Sequence, residues 1–158
     1  MTAADQPVLI AYDGSDTARR AVREAANLFG SRQVLVVTVW EPGLAYETAM
    51  PAGLEMEPVP VDVEGARELE EELHQRARRT AHDGAELARS IGLQAKGLAV
   101  ADEVHVADAI VGIAREKGVA AIVIGSRGLT GLRARLEGST SKAVLKDAPC
   151  PVVVVHDD

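Results

Sequence analysis

Between residues 125 and 147 the sequence gathers residue types that can hold an anion. Gly125, Gly128 and Gly131 are spaced by three at the end of an apolar run, and Gly138 is followed at once by Ser139, Thr140 and Ser141. Missing β-carbons let backbone N–H groups come close to a ligand and open turn conformations with positive φ. A helix beginning near Ser139 would add unpaired N–H groups and the positive end of its dipole, with the hydroxyls as further donors. The same stretch holds Arg127, Arg133, Arg135, Lys142 and Lys146 against Glu137 and Asp147, a local +3 on a chain of net charge -7, so the remaining residues carry -10. Such an island suits a small anionic ligand better than a polyanion. Turns between strand and helix also need glycine for purely steric reasons, so the spacing alone leaves both readings open. It is neither a lysine-bearing P-loop nor the dinucleotide GxGxxG.

A cradle of this kind has to be held by regular elements, and their pattern is legible. PVLIAY (7–12) reads as a strand ending in the turn signal Asp13-Gly14-Ser15, with Ser15 or Asp16 available as a helix N-cap. Ala18, Ala21, Val22, Ala25, Leu28 and Phe29 then repeat at helical spacing before Gly30. QVLVVTVW (33–40) is nearly all apolar and β-branched, as a strand covered on both faces should be. A long amphipathic helix is expected from Glu64 to about Ile91, with Leu69, Leu73, Ala77, Ala81, Leu87, Ala88 and Ile91 inward and ELEEELHQRARR as its solvated surface. A weaker strand at 93–100, a helix at 103–117, a buried strand at 119–125, a short helix from Ser139 and a last strand, PVVVV at 151–155, complete the series.

Alternating strands and helices predict one α/β domain over residues 1–158, a Rossmann-like doubly wound parallel sheet of five strands with helices on both faces. Ligands in such sheets bind beyond the carboxyl ends of the strands where the order switches direction. In the order 3-2-1-4-5, strands 1 and 4 flank that switch. Residues 41–63 interrupt the rhythm with four of the seven prolines. So long and flexible a connection reads either as a variable surface insertion or as a flap over a ligand.

Composition bounds the rest. Hydrophobic residues make up 47% and charged residues 26%, an ordinary globular balance. The N-terminus predicts neither a signal nor a transit peptide, and no run is apolar enough for a membrane helix. A single cysteine, Cys150, excludes an internal disulfide and suits a reducing, cytoplasmic compartment. Net acidity argues against nucleic acid and against an anionic membrane as partners.

Gly125, two residues, Gly128, nine residues, Gly138 and then Ser139 resembles the G-x2-G-x9-G-[S/T] signature of the ATP-binding branch of the universal stress protein family. GSRGLTGL, GSTSKAVLKDAPCPVVVV and the N-terminal LIAYDGSDTARRAV are similar to that family too, so the likeness runs from Pro7 to His156. It implies the strand order 3-2-1-4-5 and a bound ATP whose Mg2+ is held mainly by the phosphates. It implies Asp13 at the ribose or the metal-phosphate region, Ala11 against the nucleoside, and Val39 meeting adenine through backbone. Gly125, Ser126, Arg127, Gly128 and Gly131 would line ribose and phosphates, and Gly138, Ser139 and Thr140 would bind phosphate. Ala11 stands where related chains often carry glycine or proline, and Trp40 makes the end of the second strand unusually bulky.

Other residues carry less. Asp13-Gly14-Ser15 is also simply a good turn and helix start. His74, His82, His105 and His156 show no ligand-pair spacing, so no metal site is expected on protein side chains alone. Cys150 has no partner pattern of a nucleophile. No catalytic residue or general base stands out, which predicts ATP binding with at most slow hydrolysis. A true ATPase or nucleotidyl-transfer enzyme, and an interaction module indifferent to nucleotide, are the competing readings. The four-valine edge strand would invite pairing, and the resemblance implies a two-fold homodimer through 151–155; any further protein partner is unspecified.

Overall fold

The apolar runs become strands because β-branched residues pack well on a pleated, two-sided surface. The structure, a computed structural model, describes residues 5–42, 62–102, 105–126 and 139–156. Its strands are β1 (Val8–Ala11), β2 (Gln33–Trp40), β3 (Gln94–Ala101), β4 (Ala121–Gly125) and β5 (Val152–Val155). Its helices are α1 (Asp16–Phe29), α2 (Val63–Ser90), α3 (Val106–Lys117) and α4 (Ser139–Asp147). All strand pairs are parallel and the order is β3-β2-β1-β4-β5, as expected.

The two faces of the sheet are covered by different helices, as double winding requires. Val8, Ile10, Tyr12, Val34, Val36 and Val123 meet Ala18, Ala21, Val22 and Ala25 of α1 and Ala85 and Ala88 of α2. On the other face Leu9, Ala11, Val37, Ile122 and Ile124 meet Ala107, Ile110 and Ala114 of α3 and Val144 of α4. The chain moves outward from β1 through β2 to β3, then returns to lie beside β1 as β4. The reversal therefore falls between β1 and β4.

Local chemistry places the first helix. Ser15, not Asp16, is the N-cap of α1, its hydroxyl oxygen accepting the Ala18 N–H at 3.1 Å. Asp16 occupies the first turn, where its charge suits the helix dipole.

Helical spacing misassigned some apolar side chains. Leu28 is 58% exposed, Ile91 40% and Leu69 37%, although their periodicity points inward. Ile91 lies just past the last residue of α2, as its C-cap, where helical spacing no longer applies; nothing in the structure explains the exposure of Leu28 and Leu69.

Over the sheet itself α2 lies very close. Its buried face is Ala66, Ala77, Ala81, Gly84, Ala85 and Ala88. A β-carbon on Gly97 of β3 would stand 2.5 Å from the Ala81 carbonyl oxygen, and one on Gly84 would stand 2.7 Å from the Tyr12 ring. Backbone cannot give way as a side-chain tip can, so Gly97→Ala should lower unfolding stability by about 1–3 kcal/mol. In α3, Gly112 has nothing within 4 Å of its added β-carbon, and Gly112→Ala should raise stability by about 0.5–1 kcal/mol. Urea denaturation of the two variants should give midpoint shifts of opposite sign.

Candidate functional site

The register Ile10↔Val123 brings the ends of β1 and β4 to the same level at the carboxyl edge of the sheet. The residues just beyond each strand determine what that edge can hold. After β1 comes Tyr12, then half-buried Asp13, whose Oδ1 accepts the Ser15 N–H at 2.9 Å. Gly14 adopts φ +82, a left-handed conformation that side chains other than glycine rarely take. The turn reading of Asp-Gly-Ser is thus present in full: one carboxylate oxygen and the Ser15 hydroxyl are engaged in starting α1.

After β4 the glycine requirement at 125 is steric. A β-carbon there would lie 2.6 Å from Thr17 Cγ2 of α1, so the helix presses on the strand end. The Gly125 carbonyl accepts the Ser141 hydroxyl at 3.1 Å, and Ser141 is buried. Of the three hydroxyls at the start of α4, Ser141 is therefore turned inward as a structural donor. Ser139 is exposed and Thr140 half-buried, both in the first turn of α4. Ser126 is half-buried and gives its N–H to the Val155 carbonyl at 2.7 Å.

Ala11 is buried in the α3/α4 face of the core, and Val39 is half-buried against the same cluster. Trp40 points to the opposite face, where its ring stacks on His74 of α2 with centroids 4.8 Å apart and planes 16° from parallel. The bulk at the end of β2 is thus taken up by α2 and leaves Val39 unobstructed by its neighbour. Arg127, Gly128, Gly131 and Gly138 lie outside the described residues.

Sequence reasoning missed Thr17 and Thr38. The buried polar residues among those described are Thr17, Thr38 and Ser141, and all three stand at this edge. The Thr38 hydroxyl donates to the Tyr12 carbonyl at 2.8 Å. The available signal was a lone hydroxyl between Val37 and Val39, since a polar group buried in an apolar strand must find a partner.

Among the described residues no group of three or more His, Cys, Asp or Glu could hold a metal ion. Burial pushes the Cys150 thiol above its ordinary range, which keeps it protonated near neutrality and chemically quiet. Among the described residues the edge offers backbone groups, hydroxyls and one carboxylate, groups that can hold a ligand.

The packing at Gly125 makes a local prediction. Gly125→Ala should destabilise the fold by about 1–3 kcal/mol, and less in a Thr17→Ser background, where the opposing methyl is gone and the hydroxyl kept. Equal destabilisation in both backgrounds, measured by thermal unfolding, would contradict the contact.

Comparison with known proteins agrees with the fold. Residues 6–156 match the Universal stress protein family. The chain is 30% identical over 151 residues to Universal stress protein YxiE of Bacillus subtilis (strain 168), covering 94% of this chain and 97% of that one. It is 34% identical over 152 residues to a universal stress protein of Thermus aquaticus, with coverage of 94% and 97%. The structure of the universal stress protein from Archaeoglobus fulgidus in complex with dAMP resembles it with a TM-score of 0.58 at 26% identity, covering 96% of this chain and 98% of that one. The chain belongs to the universal stress protein family.

Proposed function

We propose that this protein binds ATP at the carboxyl ends of β1 and β4 and that occupancy, rather than rapid hydrolysis, is its signal in a stress response. The observation that carries the reading is the convergence at one edge of the Asp13 turn, the start of α4 and all the buried hydroxyls among the described residues, in a chain whose relative from Archaeoglobus fulgidus is described in complex with dAMP.

In this reading Asp13 faces the ribose or the metal-phosphate region, Ala11 lies against the nucleoside, and Val39 meets adenine through backbone. Gly125, Ser126, Arg127, Gly128 and Gly131 line ribose and phosphates, and Gly138, Ser139 and Thr140 hold phosphate at the N-terminus of α4. The exposed Ser139 and half-buried Thr140 suit that role better than Ser141, whose hydroxyl is already engaged by Gly125. Mg2+ would be held mainly through the phosphates.

The protein would act in the cytoplasm as a homodimer through β5. That strand is at the edge of the sheet, and Val152, Val153 and Val154 are only half-buried. An open edge of β-branched residues is a ready template for a second strand.

Mass spectrometry of the small molecules released from purified, denatured protein should show ATP or ADP. Protein that carries none and shows no thermal shift with added nucleotide would sink the reading. Ser139→Ala and Gly128→Phe should each weaken ATP binding about tenfold or more, the loss of one or two charge-assisted hydrogen bonds; folded variants with unchanged affinity would displace the phosphates from this position. Val153→Lys should halve the mass seen by light scattering, and an unchanged mass would remove β5 from the dimer interface.

A further inference from the structure

Little apolar packing holds α4 in place. Its buried residues are Ser141 and Val144, with Ala143 half-buried beside them, and its Leu145 is 52% exposed. By comparison α1 buries Thr17, Ala18, Ala21, Val22 and Ala25, and α3 buries Ala107, Ile110, Val111 and Ala114. Val144 is thus the one buried apolar side chain of α4, and a single point of contact leaves a short helix free to turn and slide. Two hydrogen bonds fix what packing leaves open, one at each end. In the first turn the buried Ser141 hydroxyl donates to the Gly125 carbonyl at 3.1 Å. Gly125 ends β4, and the next residue gives its N–H to the Val155 carbonyl at 2.7 Å, so the acceptor stands on a strand end tied to β5. At the last residue of α4 the Asp147 carbonyl accepts an N–H of the Arg115 guanidinium at 3.1 Å. That carbonyl is one of the four that a helix cannot pair internally, and a cation there complements the dipole. Arg115 belongs to the last turn of α3. The helix is therefore pinned to the sheet at its start and to its neighbouring helix at its end.

We infer that Ser141 and Arg115 are positioning residues for the proposed nucleotide site: they hold α4 where Ser139 and Thr140 can present their N–H groups and hydroxyls to phosphate, and neither touches the ligand. The inference rests on the nucleotide reading for its ligand, but the two-point anchoring is a property of the chain alone. Consecutive helical residues are fixed in rise and rotation relative to one another, so holding Ser141 also sets the directions of Ser139 and Thr140. Arg115 acts from the other end, about 12 Å from Ser139 along the helix axis at ~1.5 Å per residue. Its influence on phosphate can come only through the placement of α4.

Two measurements on the full chain test this. In ligand-free protein, Ser141→Ala should speed hydrogen exchange at the Val144 and Leu145 amides by about tenfold and leave Val123 and Ile124 of β4 unchanged. Exchange that rises equally in α4 and β4, or that stays unchanged in α4, overturns the anchoring. Calorimetric titration with ATP and with adenosine, at a temperature where the variants are folded, should show about tenfold weaker ATP binding for Ser141→Ala, restored by Ser141→Thr. Adenosine, which has no phosphate, should bind all variants as it binds wild type. Arg115 is exposed, so Arg115→Ala should fold even where Ser141→Ala does not; it should speed the same α4 amides and weaken ATP binding about threefold, again sparing adenosine. Where wild type binds neither ligand but the variants still release α4 locally, the nucleotide reading falls and the anchoring stands. Where wild type binds ATP, affinity unchanged in both Ser141→Ala and Arg115→Ala, or a loss shared equally by adenosine, overturns the positioning role.

Discussion

A parallel sheet wound outward from its middle leaves its two central strands without a crossover between them at the carboxyl edge, and every feature of the candidate site depends on that constraint. Here the central strands are β1 and β4. The covering helices lie on opposite faces, and among the described residues the Asp13 turn and the starts of α1 and α4 stand beyond these strand ends. Backbone groups that reach that edge have no neighbouring strand to pair with. They have to be satisfied by side chains, by helix caps or by a ligand.

The chain answers each case with a short side chain. Thr38 holds the Tyr12 carbonyl, Ser141 holds the Gly125 carbonyl, Ser15 caps α1 and Asp13 closes the turn before it. Short hydroxyls and a short carboxylate are suited to this because they reach a nearby backbone atom with little loss of side-chain entropy. Long charged side chains are absent from these contacts. Each of these bonds fixes a backbone group at the edge in place.

Small residues set the distances around it. Ala77, Ala81, Gly84 and Gly97 bring α2 down on β2 and β3, and Gly125 lets α1 approach β4. Larger residues there would push α2 off β2 and β3, or α1 off the end of β4. In the Trp40–His74 stack, α2 accommodates the one large ring at the end of β2 and keeps it off the face that carries Val39.

The sequence by itself determined the elements, their order and the class of fold, because hydrophobic period and turn chemistry are properties of residues close together in the chain. The Gly125-Gly128-Gly138-Ser139 spacing carried the family for the same reason. The rest was decided by contacts between distant residues. Ser139 and Ser141 are indistinguishable in composition, yet one is exposed and the other bonds Gly125, 16 residues away. Thr38 has no visible purpose until β2 lies beside β1 and its hydroxyl meets a carbonyl 26 residues earlier. The glycine at 125 has a steric reason in any case, and only the placement of Thr17 shows that α1 requires it. Ile91 follows the right period and is still exposed, because the helix has already ended at Ser90.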